Sequence, residues 1–461
     1  MDGLEACVEK MEREGVPRAA IDTFKHYYEQ LREGETGMLP EAEIEPVEEV
    51  QDLDELPESD TQRPSAAGTG APLDQVIVLK LNGGLGTSMG MTRAKSLIEA
   101  KDGLSFLDVI ARQVLELRER TGARLPLLLM NSFATRDDSL QALDAHPELA
   151  SDVPADFVQN KEPKVLVDGL GPAEWPQNPS LEWCPPGHGD VYTALLSSGT
   201  LDALLDAGYR WAFMSNSDNL GAVLDPRILA WIASEEIPFA MEVTDRTEAD
   251  RKGGHIARKG DRYLLRESAQ TPDEDLGALQ DISRHRYVNT NNLWLDLEAL
   301  KRVMAERDGV LGLPLIVNRK TVDPSDKSTP EVFQLETAMG AAIGVFDGAR
   351  PVRVPRRRFS PVKTTEDLLA LRSDAYVLAD DARVVLDDSR DGTPPVVDLD
   401  DDYYKKLADF DERFPAGAPS LVGCERIAVE GDVRFGHGVV VRGRVKVEGP
   451  KEIEDGAVLE G

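Results

Sequence analysis

Apolar residues recur along this chain at several distinct spacings, and each spacing predicts a different kind of element. Ile21, Phe24, Tyr28 and Leu31 fall at three- and four-residue steps, which is one stripe on a helix. Residues 1–35 therefore read as a helical arm packed on a larger body. From Pro40 to Pro72 the stripe gives way to Glu, Asp, Pro and Gly, an acidic and irregular connector with a short helix near Val50. Beyond it, β-branched runs alternate with helical stripes. Val76–Leu81, Leu125–Met130 and Trp211–Ser215 read as strands, and Asp156–Gln159 as a short extended piece. Leu104–Arg120, Thr135–Leu143, Asp190–Ala207 and the stretch around Arg227–Ser234 read as helices. Such alternation implies a mostly parallel sheet with helices on both faces. Sheets of that kind bind ligands outside the carboxyl ends of their strands.

The tail from Ile427 to Gly461 obeys another rule. Val433, Val439 and Val445 are six apart, as are Val429, Phe435, Val441, Val447 and Ile453, with Gly431, Gly443 and Gly449 in the same phase. A hexapeptide period predicts a parallel β-helix. A plain β-meander also places valines two apart and is the competing reading. A short β-helix leaves an open edge through which a homo-oligomer can form.

At 461 residues the chain has room for two or three domains. Its formal charge of −32 argues against a nucleic-acid partner, because phosphate backbones are bound by basic surfaces. Any polyphosphate site must then be a local concentration of Lys and Arg. Cys7, Cys184 and Cys424 lie far apart with no metal-binding spacing, the N-terminus lacks an apolar leader core, and no apolar run is long enough for a membrane helix. These features point to the cytoplasm and to no membrane partner.

Five segments carry chemistry. The strand Val76–Leu79 opens into NGGLGTSMG, a glycine-rich turn through which backbone N–H groups approach phosphate. A Walker A loop has lysine directly after its last glycine, but here Met91 follows Gly90 and the lysine arrives at Lys95; the dinucleotide pattern fails because position 89 is Met. A purely structural glycine turn is the bland alternative. Gln159 ends an extended piece with an amide suited to reading a nucleobase edge. Gly187 and His188 precede Asp190, an N-cap candidate, and His188 either meets a phosphate or sugar hydroxyl or merely closes the turn. Asp218, in Ser215-Asn216-Ser217-Asp218-Asn219 after a strand, is a candidate Mg²⁺ carboxylate, with an Asx-type turn as its competitor. Lys363 follows a cluster of arginines (Arg353, Arg356, Arg357, Arg358) that pair with acidic neighbours or face solvent, and it sits just before a helix start at Thr364. Two lysines and one Mg²⁺ suit the stabilisation of charge on a polyphosphate during displacement.

In these residues the chain resembles the eukaryotic-type UTP–glucose-1-phosphate uridylyltransferases, or UDP-glucose pyrophosphorylases. The matching segments are KLNGGLGTSMG, FVQN, PPGHGDVY, SNSDNLGA, VNTNNLWL, FQLETAMGAAIGVF and RFSPVKTTEDL, in order over nearly the whole chain. The resemblance implies an α/β, Rossmann-like (GT-A-like) nucleotidyltransferase domain with a mixed sheet over 73–400. An N-terminal helical segment and connector would occupy 1–72, and a left-handed parallel β-helix 401–461. It implies that Leu81, Asn82, Gly83 and Gly84 hold UTP together with Lys95, Gln159 and Gly187. It places His188, Asn216, Ser217, Asp218, Asn291 and Asn292 at the sugar phosphate or hexose, Mg²⁺ on Asp218, and catalytic roles on Lys95 and Lys363. The implied reaction transfers UMP from UTP to glucose 1-phosphate, giving UDP-glucose and pyrophosphate. The alternative is another UDP-sugar or UDP-N-acetylhexosamine pyrophosphorylase. Two segments depart from the family's pattern: CKGPK is here Met91-Thr92-Arg93-Ala94-Lys95, and QSRxPR is Gln159-Asn160-Lys161-Glu162-Pro163-Lys164.

Overall fold

Val76 and Val78 pack into one apolar core, while Ile77 and Leu79 pack into another. That division is what a strand covered on both faces produces, and it explains the unbroken apolar run. The computed structural model describes residues 2–58 and 70–461; the part of the connector at 59–69 lies outside the described residues. The strand belongs to a sheet whose main path holds β1 (Gln51–Asp52), β2 (Val76–Asn82), β3 (Leu127–Asn131), β4 (Asp156–Val158), β5 (Trp211–Asn216), β6 (Phe239–Asp245), β7 (Tyr287–Asp296) and β8 (Arg350–Arg353). Their spatial order is β1-β8-β6-β7-β5-β2-β3-β4. Neighbours run parallel except at β7, which is antiparallel to both β5 and β6. The sheet is therefore mixed. Helices Phe106–Thr121, Pro226–Ser234 and Thr365–Arg372 cover one face. Helices Val191–Ser197, Thr200–Asp206 and Leu297–Glu306 cover the other.

Departures from the pattern reading have local causes. The arm is two helices, Gly3–Arg13 and Arg18–Arg32, because Gly15 and Pro17 interrupt it. Asp190–Ala207 likewise splits at Gly199, whose φ of 75° is left-handed. The short helix expected near Val50 is not there. Gln51–Asp52 instead extends along β8, and a 3₁₀ turn follows at Leu53–Glu55. Arg353 fixes that edge by bridging Asp52 and Asp245, each at 2.5 Å. Strand β7 is hard to read because its apolar residues are interrupted by Asn289-Thr290-Asn291-Asn292, where the register against β6 slips between Met241 and Val243. Asn291 carries the slip in a left-handed conformation, φ 57°.

In the tail, strands pair in parallel with partners 18 residues apart: Ile427 lies opposite Val445, Phe435 opposite Ile453, and Val440 opposite Val458. Eighteen residues are three hexads, and the residues of both six-residue series, Val429 to Ile453 and Val433 to Val445, are buried. The tail is no independent body. Its apolar interior joins the core under helix Phe106–Thr121 through Tyr404, Phe410 and Phe414, with Phe414 stacked on Phe435 at 4.9 Å between ring centroids. Among the described residues no helix is long and apolar enough to cross a membrane. Phe435→Ala removes the centre of this junction and is expected to cost about 3–5 kcal/mol of stability, read as a lowered urea midpoint.

Candidate active site

The carboxyl ends of β2 and β5 lie side by side, Leu81 opposite Asn216, and everything that follows depends on that adjacency. The Ser217 N–H donates to the Leu81 carbonyl at 3.2 Å, so the loops after the two strands start from a common point. The glycine loop then curls back on itself. The N–H of Lys95 donates to the Gly84 carbonyl at 3.0 Å, which closes the loop and aims the lysine side chain toward β5. There the Lys95 ammonium meets Asp218 Oδ2 at 2.8 Å. Two residues 123 apart in sequence, singled out separately as phosphate and metal ligands, form one ion pair. At its outer side the loop touches the segment leading to the tail, where Gly90 lies against the Lys406 side chain.

Leu81 is half-buried and Gly84 exposed, while Asn82 is buried with its amide committed to Asn131 Oδ1 and Ser139 Oγ, both at 2.8 Å. Asn82 therefore builds the floor of the loop. Gln159 comes from the end of β4, where its N–H donates to the Asn131 carbonyl at 2.8 Å. Its amide reaches back over the glycine turn: a Cβ on Gly83 would stand 2.9 Å from Gln159 Oε1. A side chain at position 83 would have to push the Gln159 amide aside, so glycine lets the base-reading candidate and the phosphate-loop candidate share this space.

Asp190 is not the side-chain cap of the helix it precedes. Its buried carboxylate accepts instead from the N–H and the side-chain amide of Asn160, at 2.6 and 2.8 Å. Burial pushes that carboxyl up to about 7. The bonds tie the residue after Gln159 to the turn carrying Gly187 and His188. Gly187 has a φ of 78° and a Cβ there would meet the Thr337 carbonyl at 2.6 Å. His188 Nδ1 accepts from the Met339 N–H at 3.0 Å, and burial pushes the imidazole down to about 4. The ring is thus neutral near pH 7, with Nε2–H as its donor.

On the far side, Asp218 is joined to the Lys363 segment through the backbone. The Val362 N–H donates to the Asp218 carbonyl at 3.0 Å, and Asn219 bridges antiparallel to Pro361. Lys363 is exposed, its N–H held by Asp367 at 2.8 Å where Thr364 caps the next helix. The arginines before it pair with acids: Arg353 as above, Arg356 with Asp250, and Arg358 with Glu242. Asn216 is half-buried at the rim and Ser217 is buried beside it. The two asparagines expected at the hexose differ. Asn291 is half-buried on the bulge and exchanges bonds with Asn289. Asn292 is fully buried, with its amide given to Glu242 Oε2 and to the Arg358 carbonyl, so it serves as a strut inside the protein.

One oxygen stands apart. Asp218 Oδ1 is buried without a hydrogen-bond partner, while Oδ2 holds Lys95. An unpaired buried carboxylate oxygen, on a carboxylate whose other oxygen holds an ammonium, fits a Mg²⁺ held by a single protein carboxylate. No cluster of three or more metal-ligating side chains occurs among the described residues. A cavity of about 730 Å³ opens at the other ends of the strands, by Gln75 and Arg210, far from these groups. Sequence reading missed Lys80, Asn160, Glu242 and Arg358, which support the site from behind. Lys80 left a signal as a charge in the middle of VIVLKLN, and Arg358 stood in the basic cluster without being singled out from it. Lys80 is fully buried, with its amine on Ser215 Oγ and the Ala222 carbonyl at 2.7 and 2.8 Å, and burial lowers it to about 7.

Comparison with known proteins addresses the arrangement as a whole. The family model for UTP–glucose-1-phosphate uridylyltransferase matches residues 21–442. The enzyme of that name from Solanum tuberosum is 43% identical over 393 residues, 84% of this chain and 80% of the relative. The one from Saccharomyces cerevisiae is 40% identical over 84% of this chain and 77% of its own length. Among solved structures, a variant of UDP-glucose pyrophosphorylase from Leishmania major in complex with UDP-glucose superposes with a TM-score of 0.92 at 47% identity, covering 100% of this chain and 98% of that one. UDP-glucose phosphorylase from Trypanosoma brucei gives 0.90 at 46% identity, covering 99% of this chain and 98% of its own. The chain belongs to the UTP–glucose-1-phosphate uridylyltransferase family.

Proposed function

We propose that this chain transfers UMP from UTP to glucose 1-phosphate, giving UDP-glucose and pyrophosphate, with Lys95, Asp218 and Lys363 as the charged centre of the site. The observation that carries the assignment of residues is the convergence on Asp218: its carboxylate meets Lys95 and its carbonyl holds the segment that ends in Lys363. The phosphate oxygen of glucose 1-phosphate attacks the α-phosphorus of UTP in line, and the bond to pyrophosphate breaks. Both reactants are anions, so the site's task is to bring them together and offset their charge.

The residues divide that task. The turn Leu81–Gly84 offers its backbone to the nucleotide, and Gln159, held against Gly83, faces the uracil edge. Lys95 leaves Asp218 for the triphosphate when substrate arrives, since a polyphosphate is the stronger anion. Asp218 would then hold Mg²⁺, which when bound supplies positive charge to the phosphates. His188, neutral and with Nε2–H free to donate, binds the sugar phosphate without adding charge, beside Gly187, Asn216, Ser217 and Asn291. Lys363, exposed on its loop, neutralises the incoming phosphate. A Leishmania major relative has been solved in open and closed structures, and closure here would carry Lys363 inward.

The same reading extends to the rest of the chain. The acidic, Pro- and Gly-rich composition up to Pro72 supports the division at 72/73, and the hexad spacing with the 18-residue parallel register supports one at 400/401 and a left-handed β-helix for the tail. A homo-oligomer through the open tail edge, and residence in the cytoplasm, complete the proposal.

Three measurements test it. Lys363→Ala is expected to lower turnover by about two to three orders of magnitude with an unchanged melting curve; near wild-type turnover would remove Lys363 from the reaction. Asp218→Asn is expected to abolish the Mg²⁺ dependence of the residual rate, and an unaltered Mg²⁺ titration contradicts the assignment. Gly83→Ala drives a methyl group into the Gln159 amide, so KM for UTP should rise about tenfold or more while KM for glucose 1-phosphate moves little.

A further inference from the structure

Glu242 is fully buried on β6, and its two oxygens accept four donors. Arg358 binds both in a fork, Nε on Oε2 at 2.8 Å and Nη2 on Oε1 at 2.6 Å. The Asn292 amide and the Trp294 indole each add a bond at 3.0 Å. Burying such a pair carries a desolvation cost that an apolar pair of similar volume avoids, so stability alone is a poor reason for it. What the pair fixes is the course of the chain after Arg358. The Arg358 carbonyl accepts from Asn219 Nδ2 at 3.0 Å and from Asn292 Nδ2 at 3.2 Å. Asn219 Oδ1 in turn accepts from the Ser360 N–H at 3.1 Å, and the Asp218 carbonyl from the Val362 N–H at 3.0 Å. At Gly221 the two segments press so closely that a Cβ would fall 2.4 Å from the Arg357 carbonyl. The far end of the Asp218 loop is held by Lys80, which spans Ser215 and Ala222.

From this lacing we infer that Arg358, anchored on Glu242, is a positioning residue that sets where Lys363 stands relative to Asp218. Segments 215–222 and 357–363 form one unit, pinned to the sheet by the buried fork, with the Lys363 side chain exposed at its end. The inference rests on the catalytic reading of Lys363. It assigns Arg358 no contact with substrate. Its effect reaches the reaction through the placement of an ammonium group, and a misplacement of about 1 Å costs up to about a hundredfold in rate.

A double-mutant cycle on turnover separates placement from mere folding. Arg358→Lys keeps the charge opposite Glu242 but loses the planar fork. It is expected to lower kcat about tenfold while KM for UTP changes less than about threefold, and to change the rate of Lys363→Ala less than about twofold. Asn219→Ser removes the staple without touching the buried charges, should show the same pattern, and decides the matter if Arg358→Lys fails to fold. Equal fold-losses in the wild-type and Lys363→Ala backgrounds overturn the inference while leaving Lys363 its role, as does wild-type kcat in both variants. Full turnover by Lys363→Ala alone overturns the reading of Lys363, and this inference with it.

Discussion

The parallel pairing of β2 with β5 is the constraint on which the rest depends. It brings the glycine loop and the Asp218 loop to one edge of the sheet, close enough for the Ser217 N–H to bond the Leu81 carbonyl. Lys95 and Asp218 meet because of it. Both strands are buried on both faces, so their register is set by the two cores and a one-residue slip would exchange every side chain between them. The precision of the charged site is inherited from apolar packing.

Around that edge the protein accepts costly polar burial and satisfies nearly all of it. Lys80, Asn82, Asp190, Glu242, Asn292 and Arg358 are buried and each holds its partners. Each bond joins segments distant in sequence: β2 to β3, the Gln159 segment to the His188 turn, β6 to the Lys363 segment. A half-satisfied network of this kind is worse than an apolar one, which favours rigid loops over adjustable ones. Against this background Asp218 Oδ1 is unpaired, as is Ser96 Oγ next to Lys95, so two unsatisfied oxygens flank the Lys95–Asp218 ion pair.

Much of this was legible from spacing. Strands with β-branched runs, the amphipathic helices and the hexads of the tail follow from periodicity, and Lys95, Gln159, His188, Asp218 and Lys363 stood out as polar residues after strands or before helix starts. What stayed hidden was polar structure inside the fold. β7 was obscured because Asn289–Asn292 breaks its alternation, and the bulge that explains the break is a relation to Glu242 across the sheet. The same holds for Asn292, which resembles a ligand contact in one dimension and is a strut in three. Arg358 sat in a basic cluster whose members cannot be ranked until their acids are known. Asp190 has the composition of an N-cap, and only the approach of Asn160 shows its other use.

The continuous core beneath helix Phe106–Thr121 also brings the tail toward the glycine loop. Phe435 leans on Phe414, whose helix begins beside Lys406, and Lys406 lies against Gly90 in the phosphate loop. The path from the tail to the glycine loop runs through the buried Phe435 and Phe414 and ends at a surface contact, since Lys406 and Gly90 are both exposed. The loop that bears Lys95 is thereby a spatial neighbour of the chain's last sixty residues, although more than three hundred positions separate Gly90 from Lys406 in sequence.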